Sequence, residues 1–227
     1  MKNNNLKPTR NFALLISGII IALTLAACAS ASDQFVAYIK NGDYTKAAEL
    51  YASDIRGNSA KEADADDFLD SYLQECWNNY LNNELDSSDL EIVLNTYQNI
   101  QLIVPVEDLE QILAAFSTTE QARQTYSTGI SCMDEQDYVG AIESFEQIAE
   151  TPDNTYAEAQ AQLEQAKSSY SQEILEMANE KLEQDDFDLA ISLVEEAEKI
   201  VGETEEMESF LDSTYTEKYE TSIEKRQ

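Results

Sequence analysis

Residues 137–145 read Asp137-Tyr138-Val139-Gly140-Ala141-Ile142-Glu143-Ser144-Phe145: an acid, a large apolar residue, a small residue three positions on, and another large apolar residue four further. The pattern returns without gaps at Asp43-Tyr44 with Ala47 and Tyr51, at Asp89-Leu90 with Val93 and Tyr97, and at Asp186-Phe187 with Ala190 and Val194. Successive starts lie 46, 48 and 49 residues apart. Self-similarity at such a period marks stacked supersecondary units that bury their apolar faces only against their neighbours. The residue types fit a helix opening after a turn. The acid caps free N–H groups, the apolar residue beside it is placed to cover the hairpin, and the residues three and seven positions later share one helical face. A small side chain there lets a partner helix approach closely, and the larger one fills the next layer.

The surrounding chain is helical in character. Beyond residue 28 proline occurs only at Pro105 and Pro152, and Ala, Glu, Gln and Leu are abundant, which favours helix throughout. Three-and-four spacing of apolar residues appears in Phe68, Leu69, Tyr72, Leu73, Cys76 and Tyr80, in Val106, Leu109, Ile112, Leu113 and Phe116, and in Met207, Phe210, Leu211, Tyr215 and Tyr219; each is an amphipathic stripe. No segment alternates with period two for long enough to form a sheet. Gly42, Gly57, Pro105, Pro152 and Gly202 fall at the expected junctions.

On these residues the chain resembles the tetratricopeptide repeat family, whose helix pairs are built around a small residue, an aromatic after the turn, a second small residue and a second aromatic. The third segment matches best, with Gly129, Tyr138, Ala141, Phe145 and Pro152. The fourth keeps Ala178, Phe187, Ala190 and Ala197. The second keeps Pro105 but has Leu81 and Val93 at the small positions, and the first has Phe35 there. The resemblance implies an all-α fold, an α-solenoid of about four helix-turn-helix repeats. The period exceeds the 34 residues of that family, and the excess lies before each turn, in residues 62–85, 106–135 and 153–184. Long first helices should therefore alternate with short second helices. Residues 203–227 have nothing after them to pack on and read as a capping helix, with Lys225 and Arg226 suiting its negative end.

The start of the chain has a different character. Residues 1–10 carry Lys2, Lys7 and Arg10 without an acid, and residues 12–27 form an apolar run broken by Ser17 and Gly18, a charged segment and a hydrophobic segment in the order of an export signal. A membrane span needs about twenty apolar residues, so processing is the better reading. Leu25-Ala26-Ala27-Cys28 resembles the lipobox of bacterial lipoprotein precursors. That resemblance implies diacylglyceryl transfer to the Cys28 thiol, cleavage before it after recognition of Leu25, Ala26 and Ala27, and an acylated first mature residue held at the outer face of the cytoplasmic membrane or in the periplasm. Two acyl chains give stable attachment where one is marginal. The expected organisation is a signal peptide over 1–27, a tether over 28–32 and a helical repeat domain over 33–227.

Composition limits the function. The net charge of -31 becomes -34 once residues 1–27 are removed, which disfavours nucleic acid and anionic headgroups as partners and leaves cationic proteins or peptides open; solubility alone is the other use of such charge. With no histidine in the chain, Ser-His-Asp and Cys-His catalysis are excluded. No phosphate loop, dinucleotide glycine pattern or paired-cysteine metal motif is present, so no cofactor is expected. Asp64, Asp66, Asp67, Asp70 and Glu75 have the span of a calcium loop, but Phe68 and Leu69 stand where that loop needs an oxygen ligand and a glycine; acids facing a helix dipole explain them more simply. Trp77, beside Leu73 and Tyr80 at helical spacing, reads as core. If the repeats stack in register, Cys76 and Cys132 are offset by eight residues, about 12 Å along parallel helices, too far for a disulfide. The expected function is a membrane-anchored extracytoplasmic protein-interaction or scaffolding module with no enzymatic activity. The alternative is a solute-binding or enzymatic lipoprotein with a pocket between the long helices.

Overall fold

The computed structural model describes residues 30–224. Among these it is all-α: α1 Ala31–Lys40, α2 Tyr44–Leu50 continuing into a π-helical turn Tyr51–Ile55, α3 Ser59–Leu81, α4 Ser87–Ile100, α5 Leu109–Asp134, α6 Tyr138–Glu146, α7 Thr155–Leu182, α8 Phe187–Val201 and α9 Glu205–Glu224. Long α3, α5 and α7 alternate with shorter α4, α6 and α8, as the spacing predicts. The chain forms two compact units, Met1–Ala114 and Ala115–Gln227.

One turn recurs at atomic detail. α1 ends with Gly42 in the left-handed region (φ 70); its N–H donates to Ile39 O and that of Asp43 to Tyr38 O, which satisfies the last free carbonyls of the helix. The Asp43 carboxylate then accepts the Lys46 N–H and caps α2. After α5, Gln136 is left-handed, Asp137 N–H donates to Cys132 O, and the Asp137 carboxylate accepts from Gly140 N–H. After α7, Asp185 and Asp186 do the same with Lys181 O and Leu189 N–H. In each turn a single aspartate closes one helix with its amide and opens the next with its side chain.

The second hairpin departs from this, and the departure moves a boundary. Asn83 is left-handed, but Glu84 and Leu85 both donate to Asn79 O, so two residues intervene before the cap. Asp86 takes the N-cap position, without a side-chain capping hydrogen bond, and α4 starts at Ser87. Asp89 is thus not the turn acid; it lies in the first turn of α4. Leu90 and Tyr97 are still fully buried, whereas Val93 is half-buried and Leu94 takes the inner place.

Other boundaries shift for equally local reasons. The Ser30 hydroxyl accepts the Asp33 N–H, and the Asp33 carboxylate accepts the Ser30 N–H, a reciprocal capping box that starts α1 at Ala31. Residues 31 and 32 are therefore helical. Likewise α3 starts at Ser59 and has only Glu62 in its first turn, so Asp64 to Asp70 lie beyond the reach of the helix dipole. Burial, with Asp70, Glu62 and Asp67 nearby, pushes the Asp66 carboxyl up.

In the first unit α1 packs on α2 and α3, and α4 on α2 and α3, so one hairpin lies against the next helix by helix. Phe35, Tyr51, Leu69, Leu73, Tyr80, Leu90 and Tyr97 fill the core. The Tyr97 hydroxyl donates to Leu69 O at 2.7 Å, which satisfies its polar end inside. Trp77 is buried and stacks on Tyr80 at 5.4 Å, as expected of a core residue.

In the second unit α7 serves two cores along its length. Ala159, Leu163 and Ala166 pack with Ala122 of α5 and with Ala141, Ile142 and Phe145 of α6. Ile174 and Ala178 pack with Ala190, Val194 and Ala197 of α8 and with Met207 of α9. Gly129 is buried directly against the Phe145 ring, and a Cβ there would overlap it. The α9 stripe turns differently from the sequence reading: Thr214 is fully buried and Lys218 pairs with Asp188 of α8, while Tyr215 and Tyr219 are exposed. Asp153, just before α7, accepts from Thr151 Oγ1, from the N–H and Oγ1 of Thr155, and from Arg123 Nε of α5 at 2.8 Å. Burial pushes this carboxyl up, but the Thr151, Arg123 and Thr155 hydrogen bonds outweigh it and hold the group below its ordinary value.

Three stability outcomes follow from this packing. Ala141→Leu and Ala190→Leu should each cost about 1–3 kcal/mol by overpacking, whereas Ala157→Leu at an exposed position of α7 should be nearly neutral; equal denaturant midpoints for all three would contradict the packing. Gln136→Gly should stabilise by up to about 1 kcal/mol, because a left-handed backbone penalises residues with a Cβ. Asp153→Asn should lose about 3 kcal/mol at neutral pH, because it removes the charge that faces Arg123 and puts an amide N–H in place of one of the two acceptor oxygens. Since the folded Asp153 is more acidic than the unfolded one, its contribution is present above the unfolded value near 3.8 and fades as pH falls through the lower folded value. The gap between wild type and variant in chemical denaturation should therefore close below that pH.

Candidate interaction surface

Most of the repeat residues are structural. Ala47, Ala141, Ala178 and Ala190 are fully buried, as are Phe145 and Val194, and Tyr51 is nearly so; none is available to a ligand. The residues beside the turn acids behave differently. Tyr44 is 43 % exposed, and Tyr138 and Phe187 are half-buried, so Tyr44 does not cover its hairpin. Leu25, Ala26, Ala27 and Cys28 lie outside the described residues, as do Lys225 and Arg226. Cys76 and Cys132 are free thiols; burial pushes the Cys76 thiol up.

Among the open surfaces of the second unit, two are acidic. One is the outward side of α9, an open face lined by Glu205, Glu208, Asp212, Glu217 and Glu220 with serines and a threonine between them. It is one side of a single helix, the polar exterior a terminal element needs. The other is a cleft of about 400 Å³ between residues 164–175 of α7 and the turn from α8 into α9. It opens where α7 passes from one core to the other; Tyr170 and Val201 touch both cores at that level. Gly202, left-handed at φ 86, turns the chain there, and Thr204 caps α9 by accepting the Met207 N–H.

The walls of this cleft combine chemistries. Leu175 and Val201 supply an apolar floor, Glu164 stands on the α7 side, and Glu203 and Glu206 stand on the other. Lys167 is the one cation lining it and pairs with Glu146 of α6 at 3.2 Å. The Ser171 hydroxyl donates to Lys167 O, so it is committed to its own helix. Burial, with the charges of Glu203, Glu195 and Glu208, pushes the Glu198 carboxyl up.

Sequence reasoning did not single out Asp153 and Arg123, although an Asp directly after Pro152 and two residues before Thr155 is a turn-and-cap signal. The cleft had no local signal at all, since Glu164 and Glu203 are remote in sequence and sit among many other acids.

No protein-family model matches this chain, and no curated protein and no solved structure is significantly similar to it.

Proposed function

We propose that this chain is a lipoprotein held outside the cytoplasm by acylated Cys28, and that its helices form a tetratricopeptide-like solenoid acting as a protein-interaction or scaffolding module. The observation that carries the repeat reading is the shared turn: three hairpins place a left-handed residue directly before an aspartate that closes one helix and caps the next. Hairpins of one design stack into modules that bury their faces against one another and leave long surfaces free for peptides or proteins. The anchoring reading rests on the charged first ten residues, the apolar run and Leu25-Ala26-Ala27-Cys28. With Ser30 already capping α1, only Ala29 and Ser30 separate Cys28 from the first helix, so the module sits against the bilayer surface. Its negative charge turns it toward something other than anionic headgroups.

Metabolic labelling with a radioactive fatty acid should mark the wild-type protein and leave Cys28→Ser unlabelled and unprocessed. Label retained by Cys28→Ser would refute the anchoring. For the interaction role, the full-length protein solubilised in non-ionic detergent should copurify with a defined protein at constant ratio, and association with it should slow steeply as salt is raised while dissociation changes less. A monodisperse protein that brings down nothing after mild crosslinking in intact cells would refute the module reading.

A further inference from the structure

We propose that the cleft between α7 and the α8–α9 turn recognises a lysine- or arginine-bearing extended segment of a partner protein, with the alkyl stem of the basic side chain on Leu175 and Val201 and its charged head between Glu164 and the pair Glu203 and Glu206. This inference rests on the interaction-module reading and names the chemistry of its partner.

The cleft carries the argument. Its volume of about 400 Å³ falls within the range of sites that hold side chains or small ligands. It lies where α7 passes from one core to the other, at the level of Tyr170 and Val201, which pack against both. Leu175 and Val201 lie beside three carboxylates in a cleft that Ser168, Gln172 and Thr204 also line: carboxylates accept hydrogen bonds and donate none, and a ligand with donors at the end of an alkyl stem satisfies both the apolar and the acidic side at once. The Ser171 hydroxyl does not compete for that role, since it donates to Lys167 O. Lys167 is held by Glu146 and leaves three carboxylates facing one cation. A helix dipole explains acids in the first turn of α9, but not Glu164, which lies in the middle of α7.

The test uses calorimetric titration of the full-length protein in non-ionic detergent with a capped peptide of alternating glycine and lysine. The same peptide with glutamine in place of lysine is the control. Saturable one-to-one binding of the lysine peptide alone is expected. Glu203→Gln combined with Glu206→Gln should weaken it by about tenfold or more, the scale of a close charge pair, and Glu164→Gln should weaken it as well. Glu217→Gln combined with Glu220→Gln removes the same charge from the outward face of α9 and should change affinity less than about twofold, because charges beyond a Debye length are screened. Helical circular dichroism shows that each variant is folded. Equal weakening by the two double variants would reduce the effect to the overall field and overturn the site, as would failure of the lysine peptide to saturate. A short free diamine binding as tightly as the peptide would overturn the peptide assignment. If the peptide does not bind while a partner still copurifies with the protein, the cleft assignment fails and the interaction module stands.

Discussion

Asp43, Asp137 and Asp186 each work in two directions: the backbone N–H of each reaches back five residues to a carbonyl of the helix that ends, and the carboxylate of each reaches forward three residues to an N–H of the helix that begins. Helix ends leave backbone groups unpaired, and a buried unpaired group costs about 1–3 kcal/mol, so a short connection between packed helices must satisfy both ends within a few atoms. A left-handed residue followed by aspartate does this. The direction in which the second helix leaves is thereby fixed, and the inward placement of Ala47, Ala141 and Ala190 follows from it. Where two residues are inserted, after Asn83, the cap becomes Asp86 and the buried face rotates from Val93 to Leu94.

Small residues convert that direction into packing. Ala178 meets Ala190 and Ala197, and Gly129 meets the Phe145 ring. Close approach at these points lets the larger side chains on either side interdigitate at interior density. The cost falls on α7, whose one apolar stripe must face two cores, with Tyr170 packed against both where one gives way to the other. The cleft lies at that passage, and its walls are acidic because the exposed surface of this chain is acidic almost everywhere.

The charge therefore has two separable effects. Spread over the whole surface, it governs solubility and the long-range approach of partners. At Glu164, Glu203 and Glu206 it lines a cleft beside Leu175 and Val201. Asp153 is the contrast: equally acidic in sequence, it is buried and saturated by Thr151, Thr155 and Arg123, and acts as an internal tie.

The sequence by itself determined the helical character, the alternation of long and short helices, the junctions at Gly42, Pro105, Pro152 and Gly202, and the buried residues of the third and fourth hairpins, because spacing, capping and breaker residues are local properties of a chain. It misplaced the second turn by three residues, since Asp86 and Asp89 are both plausible caps and only the Asn83 turn, closed on Asn79 O, chooses between them. It also assigned Tyr215 and Tyr219 to the inner stripe of the last helix, where Thr214 is the buried residue and Tyr215 is exposed, its hydroxyl donating to Glu195 of α8. What only the tertiary structure decided was which residues come together: Glu164 lines one cleft with Glu203 and Glu206, and Arg123 meets Asp153. Such encounters depend on how helices pack, a global property that no window of sequence carries.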